Sequence, residues 1–200
     1  MKMDRLMKHT GGASAAEFAL VLPLLVLLLF GIIDVGRWIW AYNQAEKATQ
    51  MGARMAVVTD YLSSDVGSSY VAVTCGGTTL SQGDKIPAGC FSNVTCTSTG
   101  CSPGTTVANY NAKFNAIVSK MQAFMRPTSQ IQPSNVTIEY TQSGLGYAGD
   151  PWGADVSPIV TVQLSGLQFR PLMTLAMVTM NMPDFHTSLT NEDGTGGQSN

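Results

Sequence analysis

Gly12-Ala13-Ser14-Ala15-Ala16-Glu17-Phe18 opens a run that continues as Ala-Leu-Val-Leu-Pro-Leu-Leu-Val-Leu-Leu-Leu-Phe-Gly-Ile-Ile and ends at Ile33. The 21 residues from Ala13 to Ile33 carry a single charge, the carboxylate of Glu17. As an α-helix with about 1.5 Å of rise per residue, this segment is roughly 30 Å long, the thickness of a bilayer's hydrocarbon core. A carboxylate at mid-bilayer costs about 2.5–3.5 kcal/mol on insertion scales, and less near the edge. Glu17 therefore needs a compensating partner or a place in the headgroup layer, where a helix start also favours negative charge.

Residues 1–12 form a short polar leader with Lys2, Arg5 and Lys8 against Asp4. A surplus of basic residues holds that end on the cytoplasmic side, so the chain beyond Ile33 is expected on the far side. A secretory signal has similar features, but its apolar core is only about 7–15 residues long and ends in a small-residue cleavage pattern. Here the run is longer and is followed by Asp34-Val-Gly-Arg37. Residues 13–33 are thus expected to remain as a transmembrane helix.

The string Gly11-Gly-Ala-Ser-Ala-Ala-Glu-Phe-Ala-Leu-Val-Leu-Pro-Leu-Leu, continuing through Phe30-Gly-Ile-Ile-Asp-Val-Gly-Arg37 to Ala53-Arg54, resembles TadE-like minor pilins of the tight-adherence (Tad/Flp) type IV pilus system. The resemblance covers residues 11–58, with a loose likeness again at Leu167 to Leu175. It implies cleavage by a prepilin peptidase between Gly12 and Ala13, which makes Glu17 the fifth mature residue, followed by Phe18. It also implies partners: that peptidase, other Tad pilus subunits, the inner-membrane assembly platform and the lipid bilayer. The implied location is the bacterial inner membrane, single-pass, with the N-terminus cytoplasmic, the C-terminal domain periplasmic and incorporation into a surface pilus open. The chemistry agrees with such processing. A newly released α-amine, with an ordinary pKa of about 7.7–8.0, is largely charged at neutral pH. Paired with Glu17 it offsets much of the desolvation that either charge alone would suffer.

Beyond the membrane the helix is expected to continue as a stem over residues 34–60. Val35, Trp38, Tyr42, Ala45, Thr49, Gly52 and Ala56 recur at spacings of three and four, one stripe of a helix. Ala45, Gly52 and Ala56 are small, and small residues let helix backbones approach closely. They are the candidate interface with a neighbouring subunit; the alternative is that the stripe packs on the protein's own sheet. Trp38 and Trp40, at the membrane exit, suit interfacial anchoring.

Residues 61–188 are expected to form one small extracytoplasmic α+β domain, within the usual size range for a domain. Its Ser/Thr/Gly-rich loop, residues 63–104, contains all four cysteines: Cys75, Cys90, Cys96 and Cys101. None is spaced as Cys-x-x-Cys, so a zinc site is not expected, and an even count outside the cytoplasm implies two disulfides. Three pairings are possible; near neighbours favour Cys75–Cys90 with Cys96–Cys101. Tyr110, Phe114, Ile117, Met121 and Phe124 step at helical spacing within a helix expected over residues 107–125, ended by Pro127. Val136, Ile138 and Tyr140 alternate with polar residues, as do Val160, Val162 and Leu164, which reads as two half-buried strands of an antiparallel sheet. In the loop between them, Trp152 suits either a sheet cap or a partner contact. Leu172 to Met180 is apolar but too short to span a bilayer; it suits a short helix over the sheet or an extension into the membrane interface. Residues 189–200 have little to bury and read as a disordered tail.

Composition removes other function classes. Only 12% of residues are charged and the net charge is −2, which offers no basic surface for nucleic acid. His9 lies in the leader, leaving His186 as the one histidine of the mature chain. There is no Gly-rich phosphate loop, no His-Glu-x-x-His and no Gly-x-Ser-x-Gly. No catalytic residues, metal ligands or cofactor are therefore assigned, and the chain is not expected to be an enzyme. The expected function is that of a minor pilin or pseudopilin in assembly of an adhesive Tad-type pilus. The alternative is a bitopic inner-membrane protein with a periplasmic ligand- or partner-binding domain and no pilus role.

Overall fold

The computed structural model describes residues 10–125, 131–151, 153–172 and 179–191. Its architecture is α+β: a long N-terminal helix, one further helix, antiparallel sheets and two disulfides. The chain divides into two compact units. One holds the chain up to Ala41 together with Phe169–Met180; the other holds Tyr42–Gln168 and the chain from Asn181 onward.

Helix α1 runs unbroken from Thr10 to Val58, 49 residues, with Pro23 inside it. Proline removes one i→i−4 hydrogen bond and is usually excluded from helix interiors, but helices in lipid tolerate it. From Ala15 to Ile33 no described side chain is buried, and the large apolar ones project on every side, with Leu20 at 80% exposure and Leu24 at 70%. A surface of this kind has no stable place in water and is long and apolar enough to cross a membrane.

In the second unit, α1 becomes a conventional core helix. Ala45, Ala48, Thr49, Gly52, Ala53, Ala56 and Val57 are buried, whereas Asn43, Glu46, Lys47, Gln50 and Arg54 are exposed. The expected stripe turns inward only after Tyr42, because Val35 is exposed and Trp38 only half-buried. Helix α2 spans Tyr110–Phe124 and buries Tyr110, Phe114, Ile117, Val118 and Met121. It starts three residues later than expected, since Asn109 adopts a left-handed conformation (φ 60°) that asparagine tolerates better than most residues. Phe124 is partly exposed and Met125, just past the helix, takes the buried position instead. Pro127 lies outside the described residues.

The described residues include nine strands: β1 (Thr74–Cys75), β2 (Thr78–Thr79), β3 (Val94–Thr97), β4 (Gly100–Ser102), β5 (Val136–Thr141), β6 (Ile159–Leu164), β7 (Gln168–Phe169), β8 (Met180–Asn181) and β9 (Phe185–Thr190). The main sheet is antiparallel throughout, in the order β4-β3-β5-β6-β9. In its centre Ile138 sits opposite Val162 and Tyr140 opposite Val160. All four, with Val136 and Leu164, are buried on one face, while Thr137, Glu139, Thr161 and Gln163 point the other way. That alternation is the period of two expected for both strands. Strand β9 carries regular structure through Leu189 and Thr190, two residues into the stretch read from sequence as a tail; residues 192–200 lie outside the described residues. Residues 63–104, expected as a loop, contain the two short hairpins β1–β2 and β3–β4.

Candidate functional site

The segment with the most chemical content is the start of α1. Gly12 and Ala13 lie in its first turn. Glu17 follows Ala13 by four residues, so the two positions stack on one side of the helix. The Glu17 and Phe18 side chains are both exposed. Consecutive glycines, Gly11 and Gly12, each disfavour helix by about 1 kcal/mol relative to alanine, so the chain just before Ala13 makes a weak start to α1.

The stem corrects one expectation. Ala45, Gly52 and Ala56 do not form an exposed face for another subunit, because all three are buried within the protein's own domain. A methyl group at Gly52 would lie 2.7 Å from the Met121 side chain and 3.2 Å from Val162. The small residues therefore do let a helix backbone approach closely, but what approaches is α2 and β6. Tyr42, at the start of the buried stretch, meets Phe185 of β9 edge-on, with ring centroids 4.9 Å apart. Around the end of α1, the Tyr140 hydroxyl accepts the Leu62 N–H at 3.3 Å and Lys113 meets Asp60 at 2.9 Å.

The four cysteines are joined as Cys75–Cys90 and Cys96–Cys101, leaving no free thiol. Cys96 and Cys101 face each other directly across β3 and β4, so that bridge fixes the hairpin. The other bridge closes a 15-residue separation and ties β1 to the loop ahead of β3. Among the described residues, no group of three or more His, Cys, Asp or Glu side chains is placed to hold a metal ion.

Two carboxylates missed in the sequence organise the loops. Asp155 is buried and accepts hydrogen bonds from the Tyr70 N–H at 2.5 Å, the Ser69 hydroxyl at 3.0 Å and the Asp150 N–H at 3.0 Å. Burial by itself raises its pKa; the backbone donors Gly149, Tyr70 and Asp150, with Ser69, outweigh burial and hold the carboxyl below its usual value. Asp65 lines a surface cavity of about 360 Å³ together with Ser69, Tyr70, Phe91 and Gly104. Its Oδ2 takes the Thr105 N–H at 2.7 Å and the Ser63 hydroxyl at 3.1 Å, so it serves to close a loop. Burial also pushes the Tyr110 phenol up to about 12, and Tyr110 donates to the Thr97 carbonyl as a neutral group. No nucleophile–base pair emerges from these contacts.

Nearer the apolar run, Asp34 and Arg37 pair at 3.1 Å, and Asp34 also accepts the backbone N–H of Leu172 at 2.8 Å. The sequence offered Asp34 only as a charge following the run. Trp152 and residues 173–178 lie outside the described residues, so the readings placed on them gain no structural description.

Comparison with known proteins agrees with the family resemblance noted at the N-terminus. The family model for TadE-like proteins matches residues 12–54, from the glycine of the first turn through most of the stem. No curated protein and no solved structure matches the chain.

Proposed function

We propose that this chain is a minor pilin, or pseudopilin, of a tight-adherence type IV pilus, held in the inner membrane by residues 13–33 and matured by a prepilin peptidase between Gly12 and Ala13. The observation that carries this reading is the combination at the head of α1. A TadE-like match begins at Gly12, and a single carboxylate, Glu17, lies one helical turn after Ala13 in an otherwise uncharged, outward-facing apolar helix. A peptidase cut at Gly12 creates an α-amine whose charge is compensated by Glu17, of its own chain or of a neighbour, once water is withdrawn. The two disulfides support placing the domain in an oxidising compartment, and the basic leader supports a cytoplasmic N-terminus. The role is structural: Asp65, Asp155 and Tyr110 are engaged in holding loops. Its partners are the peptidase, other pilus subunits and the inner-membrane assembly platform. The interface with those subunits is the exposed apolar helix rather than the buried small-residue face.

The test is genetic and visual. A Gly12→Leu chain should stay uncleaved, and a Glu17→Ala chain should be cleaved and membrane-inserted yet fail to support pili imaged on the cell surface. Normal pili in both strains would return the protein to the class of bitopic periplasmic-domain proteins.

A further inference from the structure

The apolar run of α1 stops at Ile33, and the next residue, Asp34, is only 9% exposed. Its Oδ1 receives two donors, the Arg37 guanidinium at 3.1 Å and the Leu172 N–H at 2.8 Å, the latter from a residue 138 positions later in the chain. Arg37 makes a second link, its guanidinium carbon lying 5.5 Å from the centroid of the Phe169 ring. Two different contacts thus fasten the short strap Phe169–Leu172 to α1 within one turn of the end of the apolar run. The local sequence suits that role. Pro171 has no N–H and keeps Arg170 extended, so Leu172 provides the first backbone donor beyond the proline.

What the strap presents outward is amphipathic. Phe169 is buried, while Arg170 is exposed and Leu172 is 62% exposed. On α1 at the same level, Ile32, Ile33 and Val35 are exposed as well. Because the Leu172 amide touches the side chain of the first residue after the apolar run, Leu172 lies at the depth where that run leaves the hydrocarbon. An exposed leucine fits the boundary between acyl chains and headgroups, and an exposed arginine beside it fits lipid phosphate, with its aliphatic stem along the apolar surface.

Resting on the reading of residues 13–33 as a membrane span, we infer that the Phe169–Leu172 strap is a second membrane contact, with Leu172 seated in the headgroup boundary and Arg170 on lipid phosphate. Asp34 is the positioning residue that clamps it there. The occupant of this surface is the bilayer that holds α1. The protein is then tethered at two points of its chain rather than one.

The experiment uses the full chain in phosphatidylcholine vesicles containing a minority of phosphatidylglycerol. The native cysteines are bridged, so Leu172→Cys offers one thiol for an environment-sensitive fluorophore. The expected result is blue-shifted emission, quenching by a nitroxide lipid labelled near its headgroup, and loss of quenching by aqueous iodide. Arg170→Cys provides a second position on the strap should the first variant fold poorly. Adding Asp34→Ala should return the label to iodide. A label at Leu28→Cys in α1 separates the two readings: if it is quenched by lipid while both strap labels are open to iodide, the span stands and the strap inference falls. If the Leu28 label is itself open to iodide, the span reading fails first. Protection from iodide without quenching by the nitroxide lipid would mean protein covers the strap, and this too would overturn the inference, as would an Asp34→Ala chain whose label stays protected.

Discussion

The two halves of α1 are one helix built for different surroundings. Between Ala15 and Ile33 most side chains are large and apolar and face outward on every side; between Tyr42 and Val58 the buried face is mostly Ala, Gly and Thr, with Val57. A helix that is apolar all round needs lipid or other protein as its solvent, whereas a helix with a narrow stripe of small residues needs a close protein neighbour. Small residues by themselves do not say which neighbour. Here α2 and β6 already fill the space against Gly52, which leaves no room there for a second chain.

The contrast is broken most strongly from the membrane side. Leu25→Arg in the exposed run is expected to cost about 3–4 kcal/mol of insertion free energy. That loss is read as protein released from membranes by alkaline extraction. Gly52→Leu acts on the other half and should leave insertion intact. Its added bulk meets Met121 and Val162 directly, so overpacking should lower domain stability by about 1–3 kcal/mol. Limited proteolysis of the full chain in micelles reports it as faster cleavage of the domain; unchanged resistance together with failed assembly would restore Gly52 to a subunit interface.

Asp155 sharpens the comparison because it belongs to the unit that contains the Tyr42–Val58 half of α1. Its folded pKa is depressed, so its contribution is complete above the ordinary carboxylate value of about 3.9 and is lost as pH falls through the lower folded value. Asp155→Ala should cost about 1–2 kcal/mol near neutral pH, with the gap to the unsubstituted chain closing in acid. Urea titrations at both pH values check this, and a gap independent of pH would mean that packing rather than charge explains the loss. The smallest effect is expected for Gln50→Arg, the same charge as in the membrane variant placed on the exposed stem face. It should change stability by no more than about 0.5 kcal/mol in those titrations.

These regions also differ in how far their sequence could be read. The apolar run, the α2 stripe and the alternation in Val136–Tyr140 and Val160–Leu164 each extend over several periods, enough to identify an element without knowing its neighbours. Strands β1 to β4 are two to four residues long, too short to show a period, and they exist because partners lie opposite. Strand β9 was obscured because Leu189 and Thr190 run straight into Asn-Glu-Asp-Gly, which reads as a tail. Gly12, Ala13, Glu17 and Phe18 stand out as candidates because the resemblance that marks them is carried by neighbouring residues. Asp155 and Asp34 do not: Tyr70 is 85 residues from Asp155, and Leu172 is 138 from Asp34. The stem stripe was visible, but periodicity specifies a face and not its occupant.

Maturation at Gly12 bears most directly on the proposed role, because a plain membrane anchor has no need of it. Mass spectrometry of the protein's N-terminus, purified from membranes of cells that contain a prepilin peptidase, is expected to find a chain beginning at Ala13, and from cells lacking that peptidase a chain that retains the leader. Retention of the leader through Gly12 in both strains would contradict the pilin reading.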